Sequence, residues 1–263
     1  MSESFSLVVP TRDGAPHSLI IAEEYRRLGI EVRYFVDSRS SPRYVKDVLR
    51  TVESATKLPV RWGASYVEGI LPKIAAVSCA KRIFRLDDDE FPSHALLNWL
   101  RDVAEPTDVP VIAAPRRAIA VIDSKAVFAA NIPNMTPLDI QFRGFLVGSV
   151  KFRKNIHTAG FSFKETDILY APSECYIYHF DWVVRSREQR ADKLKFYEKI
   201  KPGTFESHKY QYLYEDFEPA HYGFMPLNDP DVSALALRLH RERPTGAEAT
   251  KGWGRLSRWI ACR

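Results

Sequence analysis

Four consecutive carboxylates, Asp87, Asp88, Asp89 and Glu90, follow the apolar run "RIFRL". Two like charges roughly 4 Å apart repel by about 4 kcal/mol at an effective dielectric near 20, so such a cluster either lies in open water or holds a cation. On a strand, Asp87 and Asp89 would point to the same side, and two oxygen ligands at a strand end suit Mg²⁺ or Mn²⁺. The other interpretation is an acidic loop that caps a helix beginning near Ser93.

The elements around this cluster predict which other polar side chains accompany it. Short apolar runs, "FSLVVP", "IEVRYFVD", "LPVRWG", "RIFRLD" and "VPVIAAP", alternate with helical patterns over 16–28, from Pro42 onward, over 66–79 and over 93–103. This alternation predicts a parallel sheet with helices on both faces, and ligands bind such sheets at the carboxyl ends of the strands. Besides the acidic cluster, that edge would carry Pro10, Thr11, Arg12 and Asp37.

The second half of the chain has a different pattern. From about residue 118 it contains irregular, aromatic, strand-like segments, followed by one long charged helix from Trp182 to Ile200. Because no linker interrupts the sequence, we expect a single domain in two halves, 1–115 and 116–240, with a tail over 241–263. The second half is expected to cover the ligand-binding edge of the sheet.

The composition favours a globular protein in a reducing compartment. Hydrophobic residues make up 45% of the chain, and its net charge of +5 is modest, so binding to nucleic acid is not expected. The three cysteines, Cys79, Cys175 and Cys262, lack the spacing of a disulfide framework or a zinc site. No apolar run approaches the roughly 20 residues of a membrane span, and the first residues do not resemble a secretory signal. A cytoplasmic location is expected.

The order of these motifs resembles a known family. "LVVPTRDG", a strand ending in "FVDS", Lys73 on a helix and "RIFRLDDDEFPS" are together similar to the nucleotide-sugar-binding half of GT-A fold glycosyltransferases, most of all family 2. The resemblance covers residues 5–115, with a looser match to about residue 200. It implies an α/β, Rossmann-like GT-A fold, with a nucleotide-sugar-binding half over 1–115 and an acceptor-side half over 116–240. Family 2 members often have "DDGSxD" after the second strand, where this chain has "VDSRSSP", so the nucleotide stays open.

The resemblance also implies roles for individual residues. It assigns the nucleoside to Pro10, Thr11, Arg12 and Asp37, and it places Lys73 with the donor. The family's DxD motif, which bridges the ribose and the metal-bound diphosphate, corresponds to Asp87, Asp88 and Asp89. Two registers of this motif fit, Asp87 with Asp89 and Asp88 with Glu90, and we prefer the first.

Residues of the second half complete the implied site. His179 stands where many GT-A enzymes place a late metal ligand, although a packed core histidine is the alternative. Arg185 and Arg190 are candidates for neutralising a departing diphosphate, whereas an exposed helix with internal ion pairs would explain them equally well. Asp167 is the candidate for the base that takes the acceptor proton, with Glu165 in reserve; both are otherwise surface acids.

These features predict a metal-dependent glycosyltransferase that uses Mn²⁺ or Mg²⁺ and moves a sugar from a nucleotide-diphosphate donor to an acceptor hydroxyl, with inversion. The alternatives are a nucleotidyltransferase of related fold and a non-catalytic GT-A-like binding protein. The tail "KGWGRLSRWIACR" has an apolar and a basic side, which suits the surface of an anionic membrane, and a frayed tail is the alternative. We therefore expect a glycan or glycolipid acceptor and a cytoplasmic protein with peripheral contact at the inner face of the membrane.

Overall fold

The computed structural model describes residues 4–60, 67–130, 139–153, 158–200, 202–203 and 222–244. The chain divides into two compact units. Unit 1 comprises Met1–Arg116 and Ile140–Tyr178, and unit 2 comprises Arg117–Asp139 and His179–Arg263. The sequence-based halves, 1–115 and 116–240, stay a prediction, and most of the tail over 241–263 lies outside the described residues.

Strands and helices alternate along the first part of the chain, as the sequence predicts. The strands are β1 (Phe5–Thr11), β2 (Arg33–Asp37), β3 (Thr56–Leu58), β4 (Arg82–Arg85), β5 (Glu90–Pro92), β6 (Val111–Ile122), β7 (Lys125–Ala129), β8 (Asp139–Leu146), β9 (Lys151–Phe152), β10 (Phe161–Ser162), β11 (Ile168–Tyr170), β12 (Ile177–His179) and β13 (Phe224–Pro226). The α-helices are α1 (His17–Arg27), α2 (Pro42–Thr51), α3 (Leu71–Ser78), α4 (His94–Trp99), α5 (Asp181–Val184), α6 (Arg187–Ile200) and α7 (Pro230–Glu242).

The sheet of unit 1 confirms the predicted fold class. Its strands follow the order β6-β8-β4-β1-β2-β3, and β1 pairs in parallel with both β2 and β4. β8 is antiparallel to β4, and β11 pairs in parallel with β6. This is the α/β arrangement with a mostly parallel sheet that the sequence predicts. It brings the carboxyl ends of β1, β2 and β4 to one edge, where the sequence predicts the ligand site.

Local capping explains where two helices of unit 1 begin. α2 starts at Pro42 because the hydroxyl of Ser41 accepts the N–H of Tyr44 at 3.3 Å. α4 starts after Ser93, whose hydroxyl accepts the N–H of Leu96 at 3.1 Å. The predicted starts near residues 42 and 93 are therefore confirmed.

Three elements differ from the sequence-based expectation. The third strand covers Thr56–Leu58 rather than 58–63, and residues 61–66 lie outside the described part of the chain. The predicted helix over 66–79 is a short 3₁₀ turn, Val67–Gly69, followed by α3, which begins beside Pro72. α4 continues after Trp99 as one wider π-type turn to Ala104.

Buried apolar residues from the strands and helices of unit 1 form its core. Val8 and Ile83 are fully buried in neighbouring strands, and Ile74 of α3 packs into the same cluster as Phe145 of β8. Each such side chain contributes about 1.5–3 kcal/mol when it leaves water. This packing fixes the strand ends that carry the polar residues.

Unit 2 contains an antiparallel arrangement of the second part of β6 with β7 and β13. The turn between β6 and β7 places Asp123 and Ser124 at positive φ, as in tight hairpins. Trp182 packs in a cluster with Tyr222 and small residues of β6 and β7. In the described part of the chain no helix has both the length and the apolar character needed to cross a bilayer.

The single helix predicted from Trp182 to Ile200 is wrong, because the chain forms α5 and α6 with a break at Ser186. The hydroxyl of Ser186 accepts the N–H of Gln189 at 3.3 Å, and the side chain of Gln189 accepts the N–H of Ser186 at 2.8 Å. This reciprocal capping box starts a new helix at Arg187.

Candidate functional site

The four carboxylates lie in a β-turn that joins β4 to β5. The N–H of Glu90 donates to the carbonyl of Asp87 at 3.0 Å, and the N–H of Asp87 donates to Oε2 of Glu90 at 2.9 Å. Asp88 and Asp89 occupy the two central positions of this turn. The expected strand alternation of Asp87 and Asp89 is therefore wrong, because it requires an extended backbone that ends at Arg85.

Arginines of unit 1 neutralise the two outer carboxylates of this turn. Nη2 of Arg143 donates to Oδ2 of Asp87 at 2.7 Å and also to Oε1 of Glu90. Nε of Arg85 lies 3.7 Å from Oδ1 of Asp87, and Nη1 of Arg116 donates to Oε1 of Glu90 at 3.1 Å. The repulsion within the cluster is thus relieved in part by the protein's own cations.

Glu90 is the most deeply buried member of the turn, with none of its surface exposed. Burial, and then the charge of Asp87, raise the pKa of Glu90 to about 8, whereas Arg116 and the N–H of Asp87 work in the opposite direction. Glu90 is therefore a structural member of the turn, and it faces no solvent.

Asp88 is held by the end of β1 and by the segment that joins β1 to α1. The hydroxyl of Thr11 donates to Oδ2 of Asp88 at 2.6 Å, and Nε2 of His17 lies 3.8 Å from Oδ1 of Asp88. A Cβ on Gly14 would lie only 2.4 Å from Oδ2 of Asp88, so this loop packs directly against the carboxylate. The hydroxyl of Tyr44 contacts the same Thr11 hydroxyl at 2.5 Å. The ends of β1 and β4 thus lie next to each other, as the sequence predicts.

The second strand end carries a buried ion pair. Asp37 is 3% exposed, and it accepts hydrogen bonds from the backbone N–H and Nε of Arg39 at 2.8 and 3.0 Å. Burial, and then the charge of Arg39, lower the pKa of Arg12, whereas Asp37 and Asp13 work in the opposite direction. Pro10 lies opposite Phe35 in the β1–β2 register. The predicted residues 10–12 and 37 therefore share this edge, and their contact with a nucleoside stays a prediction.

Lys73 lies on α3 with its side chain exposed. Its ammonium group donates a hydrogen bond to the carbonyl of Pro59, the residue that follows β3. In the sheet order, β3 is separated from β4 by β2 and β1. The structure therefore places Lys73 away from the acidic turn, and its role toward a donor stays a prediction.

Glu165 and Asp167, the candidates for the base, are not brought to this edge. Their level in the sheet follows from three contacts. Ile168, the residue after Asp167, pairs with Val111 at the start of β6. The neighbouring Pro110 accepts the N–H of Leu146, and Leu146 pairs with Arg82, the first residue of β4. Asp167 therefore lies level with the amino end of β4, whereas Asp87 follows its carboxyl end.

Asp167 is therefore far from the acidic turn along the strand direction: at about 3.3 Å per residue, the five steps from Arg82 to Asp87 span about 16 Å. Asp167 instead caps its own 3₁₀ turn by accepting the N–H of Lys164 at 3.3 Å, and Glu165 is exposed. These contacts agree with the alternative that the two residues are surface acids.

In unit 2, buried charged residues follow β12. Asp181 is 1% exposed, and its carboxylate is paired with Arg185 and with Lys193, whose Nζ lies 2.6 Å away. Arg190 is also buried and donates from Nη1 to the carbonyl of Arg185 at 2.9 Å. Arg185 and Arg190 therefore have structural contacts inside unit 2, and their action on a diphosphate stays a prediction.

In unit 2, His179 and Asp181 are both buried, and a ligand atom of each lies within 4.8 Å of one on the other. An imidazole and a carboxylate suit several divalent ions, Mn²⁺ among them. In unit 1, Asp89 is 4% exposed, whereas Asp87 is half-buried and pairs with arginines. The metal ligation predicted for Asp87, Asp89 and His179 stays a prediction. Asp181 was not named as a ligand from the sequence, although the spacing of "HFD" after a strand was a signal for it.

Comparison with known proteins gave structural similarities only. No protein-family model and no curated protein sequence matches this chain. A crystal structure of TarS from S. aureus is similar with 13% identity and a TM-score of 0.42, covering 95% of this chain and 47% of TarS. The chain thus spans about half the length of that structure.

Two further structures are similar to this chain. S. aureus TarS 1-349 in complex with UDP is 11% identical, with a TM-score of 0.44, covering 82% of this chain and 76% of that one. A mannose-1-phosphate geranyltransferase from Thermus thermophilus is 13% identical, with a TM-score of 0.33, covering 56% of this chain and 58% of that one.

Proposed function

We propose that this protein is a glycosyltransferase that binds a nucleotide-diphosphate sugar at the carboxyl edge of the unit 1 sheet. The observation that carries the proposal is the acidic turn. Its outer carboxylates are paired with arginines, while Asp88 accepts a hydrogen bond from Thr11 at the end of β1. A carboxylate held beside a strand-end loop, at the edge where α/β sheets bind ligands, fits a nucleotide site.

The side chains of that edge would contact different parts of the donor. Pro10, Thr11, Arg12 and Asp37 would contact the nucleoside, and Asp88 would orient it from the turn. The half-buried guanidinium of Arg12 supplies a positive charge beside this position, because arginine keeps its charge in proteins. These assignments are supported by the shared strand edge and by the family resemblance.

We propose that Asp89 and His179 hold a divalent ion, as the family resemblance implies; both side chains are buried, and they offer a carboxylate oxygen and an imidazole nitrogen. When bound, Mn²⁺ or Mg²⁺ would offset the charge on the departing nucleoside diphosphate. Asp89 contributes its ligand from the central part of a closed turn, so its position is set before any ligand arrives. Positive charge from residues other than the metal ligands would come from Lys73, Arg185 and Arg190.

In the transfer, the acceptor hydroxyl attacks the anomeric carbon and loses its proton to a base, while the bond from that carbon to the nucleoside diphosphate breaks on the opposite side, with inversion. We do not assign that base to Asp167 or Glu165, because both lie level with the amino ends of the strands. The acceptor we propose is a glycan or glycolipid, since a basic amphipathic tail would hold the protein at an anionic membrane surface.

A thermal-unfolding panel tests the proposal. Nucleotide sugars and nucleoside triphosphates of each base are added with and without Mn²⁺ to the wild type, to Asp89→Asn, and to Asp102→Asn, an exposed control. One donor at 100 times its Kd should stabilise the wild type by about 2.7 kcal/mol, which is roughly 5–10 °C for a protein of this size. The shift should require Mn²⁺, persist in Asp102→Asn and vanish in Asp89→Asn.

Two outcomes would contradict the proposal. One is the absence of any metal-dependent shift across the whole panel. The other is a shift caused only by a nucleoside triphosphate, which would indicate a nucleotidyltransferase instead.

A further inference from the structure

We propose that Arg143 is a positioning residue, which binds both ends of the acidic turn and thereby fixes Asp88 and Asp89 in the arrangement that the ligands need. This inference rests on the proposed function and goes beyond it, because it changes the register expected for the motif. Asp87 becomes a structural residue, and Asp89 becomes the carboxylate of this turn that binds the ion.

The first observation is an unusual pair of arginines in neighbouring strands. Phe84 of β4 pairs with Gly144 of β8, and continuing this antiparallel register by one residue brings Arg143 opposite Arg85. Side chains directly opposite one another lie on the same face of a sheet, and like charges there are destabilising. Arg143 is 3% exposed and Arg85 is 5% exposed. Two buried guanidinium groups at this point need anions in contact with them.

The second observation is that the turn supplies acceptor oxygens for these guanidinium groups from its outer positions. Asp87 contacts Arg143 at 2.7 Å and Arg85 at 3.7 Å, and Glu90 contacts Arg143 and Arg116. One nitrogen, Nη2 of Arg143, donates to both outer carboxylates. Arg143 therefore joins the first residue of the turn to the last, alongside the backbone hydrogen bond between Glu90 and Asp87.

The third observation is that the inner carboxylates have different partners. Asp88 is held by Thr11 and approached by His17. Asp89 is 4% exposed and is the metal ligand of the proposed function. A turn closed at both ends presents its two central side chains in one fixed arrangement, which lowers the entropy lost when a ligand binds. Arg143 thus contributes to binding without touching the ligand.

The test separates this geometric role from a simple effect of charge. Binding of Mn²⁺ alone is measured from the electron paramagnetic resonance signal of the free ion, and unfolding is followed by circular dichroism. The variants are Arg143→Lys, Arg143→Met, Asp89→Asn and, as an exposed matched control, Arg101→Met. Arg143→Lys keeps the charge but loses the planar guanidinium, and Arg143→Met removes both.

We expect Arg143→Met and Arg143→Lys each to weaken Mn²⁺ binding by at least tenfold, and Arg101→Met to stay within twofold of the wild type. Arg143→Lys should recover more of the melting temperature than of the Mn²⁺ affinity, which a purely structural role would not produce. If Arg143 acted only through its charge, Arg143→Met would bind Mn²⁺ as well as or better than the wild type. That result would overturn the inference.

A second variant covers the case in which the Arg143 substitutions do not fold. Glu90→Gln keeps the shape of the side chain but has one acceptor oxygen in place of two, so it loosens the same end of the turn. It should weaken Mn²⁺ binding about fivefold, and unchanged binding in a folded Glu90→Gln protein would overturn the inference. Failure of the wild type to bind Mn²⁺ would instead refute the metal site of the proposed function, and the positioning role with it.

Discussion

The contact between Gly14 and Asp88 gives the sharpest test of how the site is built. An alanine at position 14 would place its Cβ 2.4 Å from Oδ2 and 3.1 Å from Cγ of Asp88. Ordinary contacts begin at 3.4 Å. The carboxylate would therefore have to move by about 1 Å, and it would lose its 2.6 Å hydrogen bond from Thr11.

The magnitude follows from that lost contact. A hydrogen bond to a charged group contributes about 1.5–3 kcal/mol, and replacing glycine by alanine without backbone strain returns about 0.4–1 kcal/mol. Gly14 is not among the positive-φ glycines, so alanine meets no conformational penalty there. We expect Gly14→Ala to lower the free energy of unfolding by about 1–2 kcal/mol, and to weaken nucleotide-sugar binding at least tenfold.

A double-mutant cycle measures this coupling. Urea unfolding and donor titration are performed on the wild type, Gly14→Ala, Asp88→Ala and the double variant. Because Asp88→Ala removes the atoms that Cβ would strike, Gly14→Ala should cost almost nothing in that background, giving a coupling energy of about 1–2 kcal/mol. Strictly additive effects would refute the reasoning, because they would show that the loop and the turn do not contact each other.

Two further predictions concern the capping box of α6 and the buried glutamate. Ser186→Ala should lower the free energy of unfolding by about 1 kcal/mol in urea titrations, because α6 loses its cap. The exposed control Ser173→Ala should change the free energy of unfolding little. Equal effects of the two substitutions would contradict the capping role of Ser186. Since the pKa of Glu90 rises from 4.5 to about 8 on folding, its contribution to stability is complete below pH 4.5 and is lost as the pH rises through 8. Melting temperatures of Glu90→Gln should therefore fall less than those of the wild type between pH 6 and pH 9, and parallel curves would contradict the raised pKa.

Sequence patterns predicted the first part of the fold well because its signals are local. Capping by Ser41 and Ser93 depends on residues three positions away, so the starts of α2 and α4 are visible in the sequence. The same kind of signal at Ser186 and Gln189 was overlooked, and the predicted long helix was wrong for that reason. The strand alternation expected for Asp87 and Asp89 was wrong because a β-turn between two short strands reads as a continuous strand.

Local sequence patterns are enough to say which strand ends meet, because strands that alternate with helices run parallel and bring their carboxyl ends to one edge. These patterns thereby place Thr11, Asp37 and the acidic residues together. Contacts between distant segments settle which carboxylates pair with arginines, because Arg143 lies 53 residues from Glu90 and 56 from Asp87. No local pattern links residues so far apart; the register between β4 and β8 does, and it makes Asp87 and Glu90 partners of Arg143.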